Sequence, residues 1–258
     1  MIQLLRDSLR YRELIWALAL KELKIRYKRS VLGFMWALLN PALLMVVLTL
    51  VFSTIMRFPI PHYAIFLLSV LLPWTFFSQS LSYAVESIVT NGDLIKKVAI
   101  PKIVFPMAAL VSNLINLLLS LIPLALLVPI LRHPFYWTWI YIPIPMLALA
   151  IFTLGTTFLF AAANVYYRDV AHILQVVLSA WFYVTPIIYS LDFIPEKERW
   201  IFKLNPLIYV INGFRLAVYY GKLPQMRSIA ASFVCAFLML FIGLYLFRRH
   251  QDDFVFYV

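Results

Sequence analysis

The feature that most constrains this chain is a set of six stretches free of Asp, Glu, Lys and Arg, each long enough to cross a bilayer. Crossing the hydrocarbon core takes roughly 20 helical residues. Trimmed at their prolines, the runs predict spans at 30–56, 61–85, 103–131, 142–165, 170–191 and 228–247. Pro59 and Pro61 delay the second span, and Pro143 and Pro145 open the fourth, because proline suits a first helical turn and not an interior. Of the 258 residues, 64% are hydrophobic and 13% charged. A soluble globule cannot hide that much apolar surface, which excludes a soluble enzyme with a membrane tail, a coiled coil and a disordered chain. The fold class is all-α: a polytopic membrane protein with six transmembrane helices in a single domain over 1–258.

The loops then alternate between two sides. The N-terminus, 91–102, the turn at Arg168 and the tail hold 14 Lys and Arg, and the loops of the other side hold 8. The positive-inside rule puts the first set, with both termini, in the cytoplasm. The formal net charge of +11 sits mostly at the ends of apolar runs, so it reads as orientation and anionic-lipid contact, with no nucleic-acid partner. The apolar stretch 14–20 runs straight into Lys21, Glu22 and Lys24 without a small-residue cleavage site, so no signal peptide is expected. The segment 11–29 reads as an amphipathic helix in the interface. Trp16, Leu20, Leu23 and Tyr27 make one apolar strip, Leu14, Leu18 and Ile25 a second, and Lys21, Lys24 and Lys28 a basic one. On the outer side, 192–227 contains the charge-free 204–214, too short to cross. It is expected to be a re-entrant external hairpin between helices 5 and 6.

What the spans lack narrows the function. No ionisable Asp, Glu, Lys or Arg stands in mid-span, which argues against proton- or voltage-coupled machines. The four histidines lie near loops, Cys235 is the single cysteine, and there is no Walker motif. Uphill work by this chain therefore draws its energy from a partner.

Four motifs occur in order. The first is YKRSVLGFMW from Tyr27 to Trp36, followed by Asn40 and Pro41. The second is Asn91, Gly92, Asp93, Leu94, Ile95, Lys96 and Lys97, leading to Pro101, Phe105 and Pro106. The third is Tyr167, Arg168, Asp169 and Val170. The fourth is Thr185, Pro186 and Tyr189, then Ile194 and Pro195, then Asn205, Pro206 and Leu207, then Arg215. Together they resemble the permease subunit of type-2 ABC exporters of the polysaccharide and polyol-phosphate group, over about 11–249.

The resemblance implies a homodimer paired with two copies of a separate P-loop ATPase subunit, in the bacterial inner membrane. ATP and magnesium would belong to that ATPase, so this chain carries no cofactor and no metal and is not an enzyme by itself. It implies that 91–102 is a cytoplasmic coupling segment, with Asn91 to Lys97 docking on the ATPase. The substrate it implies is an undecaprenyl-pyrophosphate-linked polysaccharide, O-antigen first. A pyrophosphate calls for basic residues at the inner interface, where Lys24, Arg26, Lys28 and Arg29 lie; positive-inside anchoring explains the same charges. A sugar polymer favours aromatic faces and hydrogen-bonding tips. Channel-lining candidates are Trp36, Asn40, Phe77, Gln79, Tyr83, Trp181, Tyr183 and Tyr189, although aromatics in spans also serve as belts and packing. Alternatives stay open: a teichoic acid or capsule exporter, a drug or lipid exporter, and a membrane-embedded glycosyl- or acyltransferase.

Overall fold

The computed structural model describes residues 9–28, 30 and 32–258, and among these every regular element is helical. Helix α1 (Arg12–Tyr27) is followed by a 3-10 turn (Gly33–Met35) and α2 (Trp36–Thr49), whose end widens into a π-helix over Leu50–Ile55. Gly33 takes the corner at φ +50, a conformation that a side chain would strain. Then come α3 (Tyr63–Glu86), α4 (Gly92–Lys97) and α5 (Val104–Ile130). A 3-10 segment (Trp137–Tyr141) leads into α6 (Pro143–Tyr166), and α7 (Val170–Val184) follows. The chain continues through α8 (Arg199–Lys203), α9 (Pro206–Val218), α10 (Met226–His250) and α11 (Phe254–Tyr257).

Among the described residues, five helical stretches are long and apolar enough to cross a membrane: Leu38–Ile55, Tyr63–Glu86, Val104–Ile130, Trp137–Tyr166 and Met226–His250. The fifth run, expected as a span over 170–191, is helical only through Val184. Its 15 residues reach about 22 Å, short of the roughly 30 Å hydrocarbon core. Pro186 is the cause: it lacks an N–H, and it drives Thr185 into an extended conformation at φ −95, ψ 129.

Helix α3 is the axis of the bundle, with α5, α6, α7 and α9 packed around it. Phe66, Phe77, Leu67 and Leu71 are fully buried on it. The closest helix pair is α6 with α10. Gly155 and Gly243 make the approach possible: a Cβ at 243 would collide with the Gly155 carbonyl oxygen, and one at 155 with the backbone of Leu240. A second apolar cluster joins Ile88, Ile95, Phe105, Phe158, Phe247 and Phe254 at one end of the bundle. That end gathers α4, the 167–169 turn and α11. The opposite end is tied where the Tyr219 hydroxyl donates to the Pro61 carbonyl (2.7 Å) and Thr138 Oγ1 donates to the Ala217 carbonyl (2.6 Å).

Helix α1 buries a face that cuts across the two strips expected from spacing. Ile15, Ala19 and Leu23 meet α5, with Leu14 and Leu18 partly buried beside them, while Trp16 and Ile25 are more than half exposed. Ala19 is the reason: a small residue lets the two backbones come together, a preference that hydrophobicity alone does not register.

Candidate functional site

Polar side chains on α3 recur at helical spacing. Thr75, Gln79, Ser82 and Glu86 form one stripe, spaced four, three and four, and Thr90, in the turn after α3, continues it. Three cavities touch it. One of about 370 Å³ lies between α2, α3 and α5 and is lined by Arg26, Trp36, Asn40, Gln79, Tyr83 and Asn116, among others. A second, about 460 Å³, lies between α2, α3 and α7 and shares Asn40, Thr75 and Gln79 with the first. Gln175, Ser179 and Tyr183 form its far wall. The third, about 460 Å³, continues the stripe past Ser82 and Glu86 to Thr90 and Asn91. The hydroxyls of Thr75 and Ser82 satisfy themselves on carbonyls one turn back (2.8 and 2.9 Å), and Gln175 Nε2 donates to Ser82 Oγ (3.1 Å). The stripe is thus stable in apolar surroundings yet keeps lone pairs for a ligand.

The structure brings together Trp36, Asn40, Gln79, Tyr83 and Tyr183 on these cavities. It does not bring Phe77, Trp181 and Tyr189 there. Phe77 is fully buried, edge-on to Trp181 at 5.3 Å. Trp181 Nε1 donates to Asn205 Oδ1 (3.0 Å), and the Tyr189 hydroxyl donates to the Tyr183 carbonyl (2.6 Å). These three stabilise neighbouring helices. Asn113 and Asn116 of α5 and Gln175 and Ser179 of α7 were missed by sequence reasoning. Their own spacing of three or four was the available signal.

The basic cluster also divides. Lys24 and Lys28 are exposed. Arg26 turns into the bundle, where it pairs with Glu22 (3.1 Å), donates to Asn113 Oδ1 (3.0 Å) and covers the Tyr83 ring at 3.8 Å. Burial pushes the Glu22 carboxyl up, and the Arg26 charge only partly offsets this. Arg26 Nε and Asn116 Oδ1 are buried at the first cavity without a partner among the described residues. Arg29 lies outside the described residues.

Where α7 stops, the chain crosses the packed interior as irregular backbone, tolerable at such depth only if protein groups satisfy it. They do. Arg215 is 5% exposed. It donates to the Pro186 and Ile187 carbonyls (2.7 and 2.8 Å) while lying 3.9 Å from the Phe66 ring centre. The Tyr63 hydroxyl donates to the Ile188 carbonyl (2.7 Å). Asn205 Nδ2 donates to Thr185 Oγ1 (3.0 Å), and its Oδ1 caps α9 by accepting from Leu207 N (3.0 Å). The fourth motif is therefore one hydrogen-bonded knot that holds the 192–227 segment against α3.

At the other end, the Asn91 side chain donates to the Ser87 carbonyl (2.8 Å), fixing the corner between α3 and α4. Ile95 is buried and anchors α4, and Leu94 is half-buried. Asp93, Lys96 and Lys97 point outward on a compact knob.

The fold and these sites define a helical membrane protein with a half-buried polar face lining cavities between apolar helices and a charged knob at one end. The sequence from 13 to 219 matches the family described as ABC-2 type transporter. The chain belongs to this family of transport permeases, whose members are transport components and not enzymes. It is 35% identical to the O-antigen export system permease protein RfbA of Myxococcus xanthus, over 98% of both chains. A protein of the same name from Klebsiella pneumoniae is 33% identical over 92% of both. The polysialic acid transport protein KpsM of Escherichia coli is 28% identical, over 92% of this chain and 93% of that one.

Proposed function

We propose that this chain is the channel-forming subunit of an ATP-driven exporter that moves a lipid-linked polysaccharide, most specifically O-antigen, outward across the bacterial inner membrane. It works as a homodimer with two copies of a P-loop ATPase, which binds the ATP and magnesium, and both termini are cytoplasmic. The observation that carries this reading is the polar stripe of α3 beside the sparsely buried α2. Only 11% of the 38–55 stretch is buried, and Val46, Val47, Val176 and Val177 expose apolar surface on α2 and α7. A second copy covering α2 and α7 would enclose the stripe on a shared axis, and two-fold closure is the commonest assembly. The names of the relatives supply the substrate class.

In this mechanism the sugar chain runs along Asn40, Gln79, Ser179 and Tyr183, making hydrogen bonds that water can replace, so no unit is held tightly. Lys24 and Lys28, with Arg29, draw the pyrophosphate to the inner surface. Arg26, already paired and stacked, offers its Nε at the cavity mouth. Asp93, Lys96 and Lys97 dock on the ATPase, and its nucleotide cycle levers α4 and, through the Asn91 corner, α3. A capsule or teichoic acid polymer would use the same path, and the KpsM relative favours capsule as the second reading.

The test is co-purification of the tagged chain with the products of neighbouring reading frames, with ATP turnover measured in nanodiscs. A stoichiometric ATPase whose turnover depends on this chain is expected. A chain that purifies alone, with 91–102 unprotected, would sink the reading. Undecaprenyl-linked polymer accumulating inside a deletion strain identifies the substrate.

A further inference from the structure

The end that carries α4 bears a second exposed surface. After α10 ends at His250, the chain turns back into α11. Phe254 is fully buried, edge-on to Phe247 at 5.3 Å and to Tyr166 at 6.1 Å. That anchor turns Phe256 outward, where it is 84% exposed, with Tyr257 at 52% beside it. Two contacts fix the segment. Arg168 Nη2 donates to the Tyr257 carbonyl (2.7 Å). Val258 rests on Gly92, where a Cβ would stand 3.2 Å from Val258 Cβ. The aromatic patch is thereby continuous with Asp93, Lys96 and Lys97 on α4.

Exposed aromatics near a membrane often rest on lipid. Here Asp252 and Asp253, both exposed, stand directly before α11. Set among Lys96, Lys97 and Arg249, they give the patch exposed charge of both signs and not the basic cluster that an anionic leaflet recruits. A protein surface suits the patch better: aromatic anchors ringed by charge are the make-up of binding hot spots.

We infer that α11, through Phe256 and Tyr257, is a second docking element for the ATPase subunit, lying beside the α4 knob in one composite interface. The inference rests on the reading of α4 as the coupling segment. It adds a mechanical consequence. Force on α4 reaches α3, whereas force on α11 passes through Phe254, Tyr166 and Arg168 into α6 and α10, so the two packed halves of the bundle move together.

The experiment uses the full chain in a Cys235→Ser background, with Phe256→Cys or Lys96→Cys added. Labelling by a membrane-impermeant maleimide is followed in inside-out vesicles with and without the co-expressed ATPase. Both positions should label freely without the ATPase and at least about tenfold more slowly with it, as burial in an interface core requires. Protection at 96 with none at 256 overturns the α11 inference and leaves the coupling reading standing. A silent 256 without the ATPase means a lipid-covered patch and also overturns it. Protection at neither position removes both. As an independent readout, Phe256→Asp should weaken ATPase retention about tenfold or more with the thermal unfolding of the chain unchanged. Retention equal to wild type counts against the inference.

Discussion

Helices α2 and α3 are both charge-free runs of spanning length, and they end up in opposite environments. In an 18-residue apolar window of α3, 83% of the residues are buried within one chain; in the window 38–55, which takes in most of α2, 11% are. The more apolar of the two is the less buried. In water that order would be perverse. In a bilayer, lipid solvates apolar surface as well as another helix does, so burial follows close packing and hydrogen bonding and not hydrophobicity. Helix α3 is central because glycine-mediated packing of α6 and α10 and the Arg215 knot assemble a core around it. Helix α2 has no such ties, and beside it lie the polar cavities. One half of the molecule is closed within a single chain; the other stays open, and it is the half that a second copy would cover in the proposed assembly.

Substitutions can break that contrast. The largest loss is expected at the α6–α10 contact. Gly155→Val forces the backbones apart at a cost of about 3 kcal/mol or more, and it should abolish recovery of monodisperse protein from detergent. An enlargement on the exposed face of α10, Val234→Phe, should leave yield and melting temperature unchanged.

Next comes the knot. Arg215→Ala strands the Pro186 and Ile187 carbonyls and removes the guanidinium from Phe66, for a loss of about 3 kcal/mol. Thermal unfolding in nanodiscs should shift down by several degrees, and Arg215→Lys should recover only part of it, since an ammonium lacks the planar fork. Asn205→Ala should cost less, about 1–2 kcal/mol, because one cap and two side-chain hydrogen bonds go.

The smallest stability effect falls on the cleft, where the contrast is sharpened. Asn40→Leu and Gln79→Leu should change the unfolding temperature by no more than about 0.5 kcal/mol equivalent, yet reduce polymer export in a complementation assay. Equal losses of stability at Gln79 and Arg215 would show that the cleft is core after all.

Much of this was legible in advance. The helical class and the α4 corner follow from charge-free length, proline placement and the four motifs. The placement of individual side chains was less legible. Phe77 and Tyr83 are aromatics of one span six residues apart, and sequence reading treated them alike. One is sealed against Trp181 and the other borders two of the three cavities, a difference made by α7 and α5 arriving on different sides of α3. Arg26 read as one of four equivalent basic residues. Its separation from Lys24 and Lys28 required knowing that Ala19, and not the larger apolar residues, sets which face of α1 meets α5.

By itself, then, the sequence determined that this chain lives in a membrane as helices and, for most of them, about where they begin and end. Those properties come from local rules: hydrocarbon thickness, proline geometry and the placement of charge. Tertiary structure alone decided that Arg215 satisfies the carbonyls exposed after Val184, which helices pack around α3, and which polar residues converge on open cavities. Each depends on groups far apart in the chain, such as Arg215 and Pro186 or Asn40 and Ser179. Lipid tolerates nearly any apolar face, so only close packing and the need to satisfy every buried polar group choose among them.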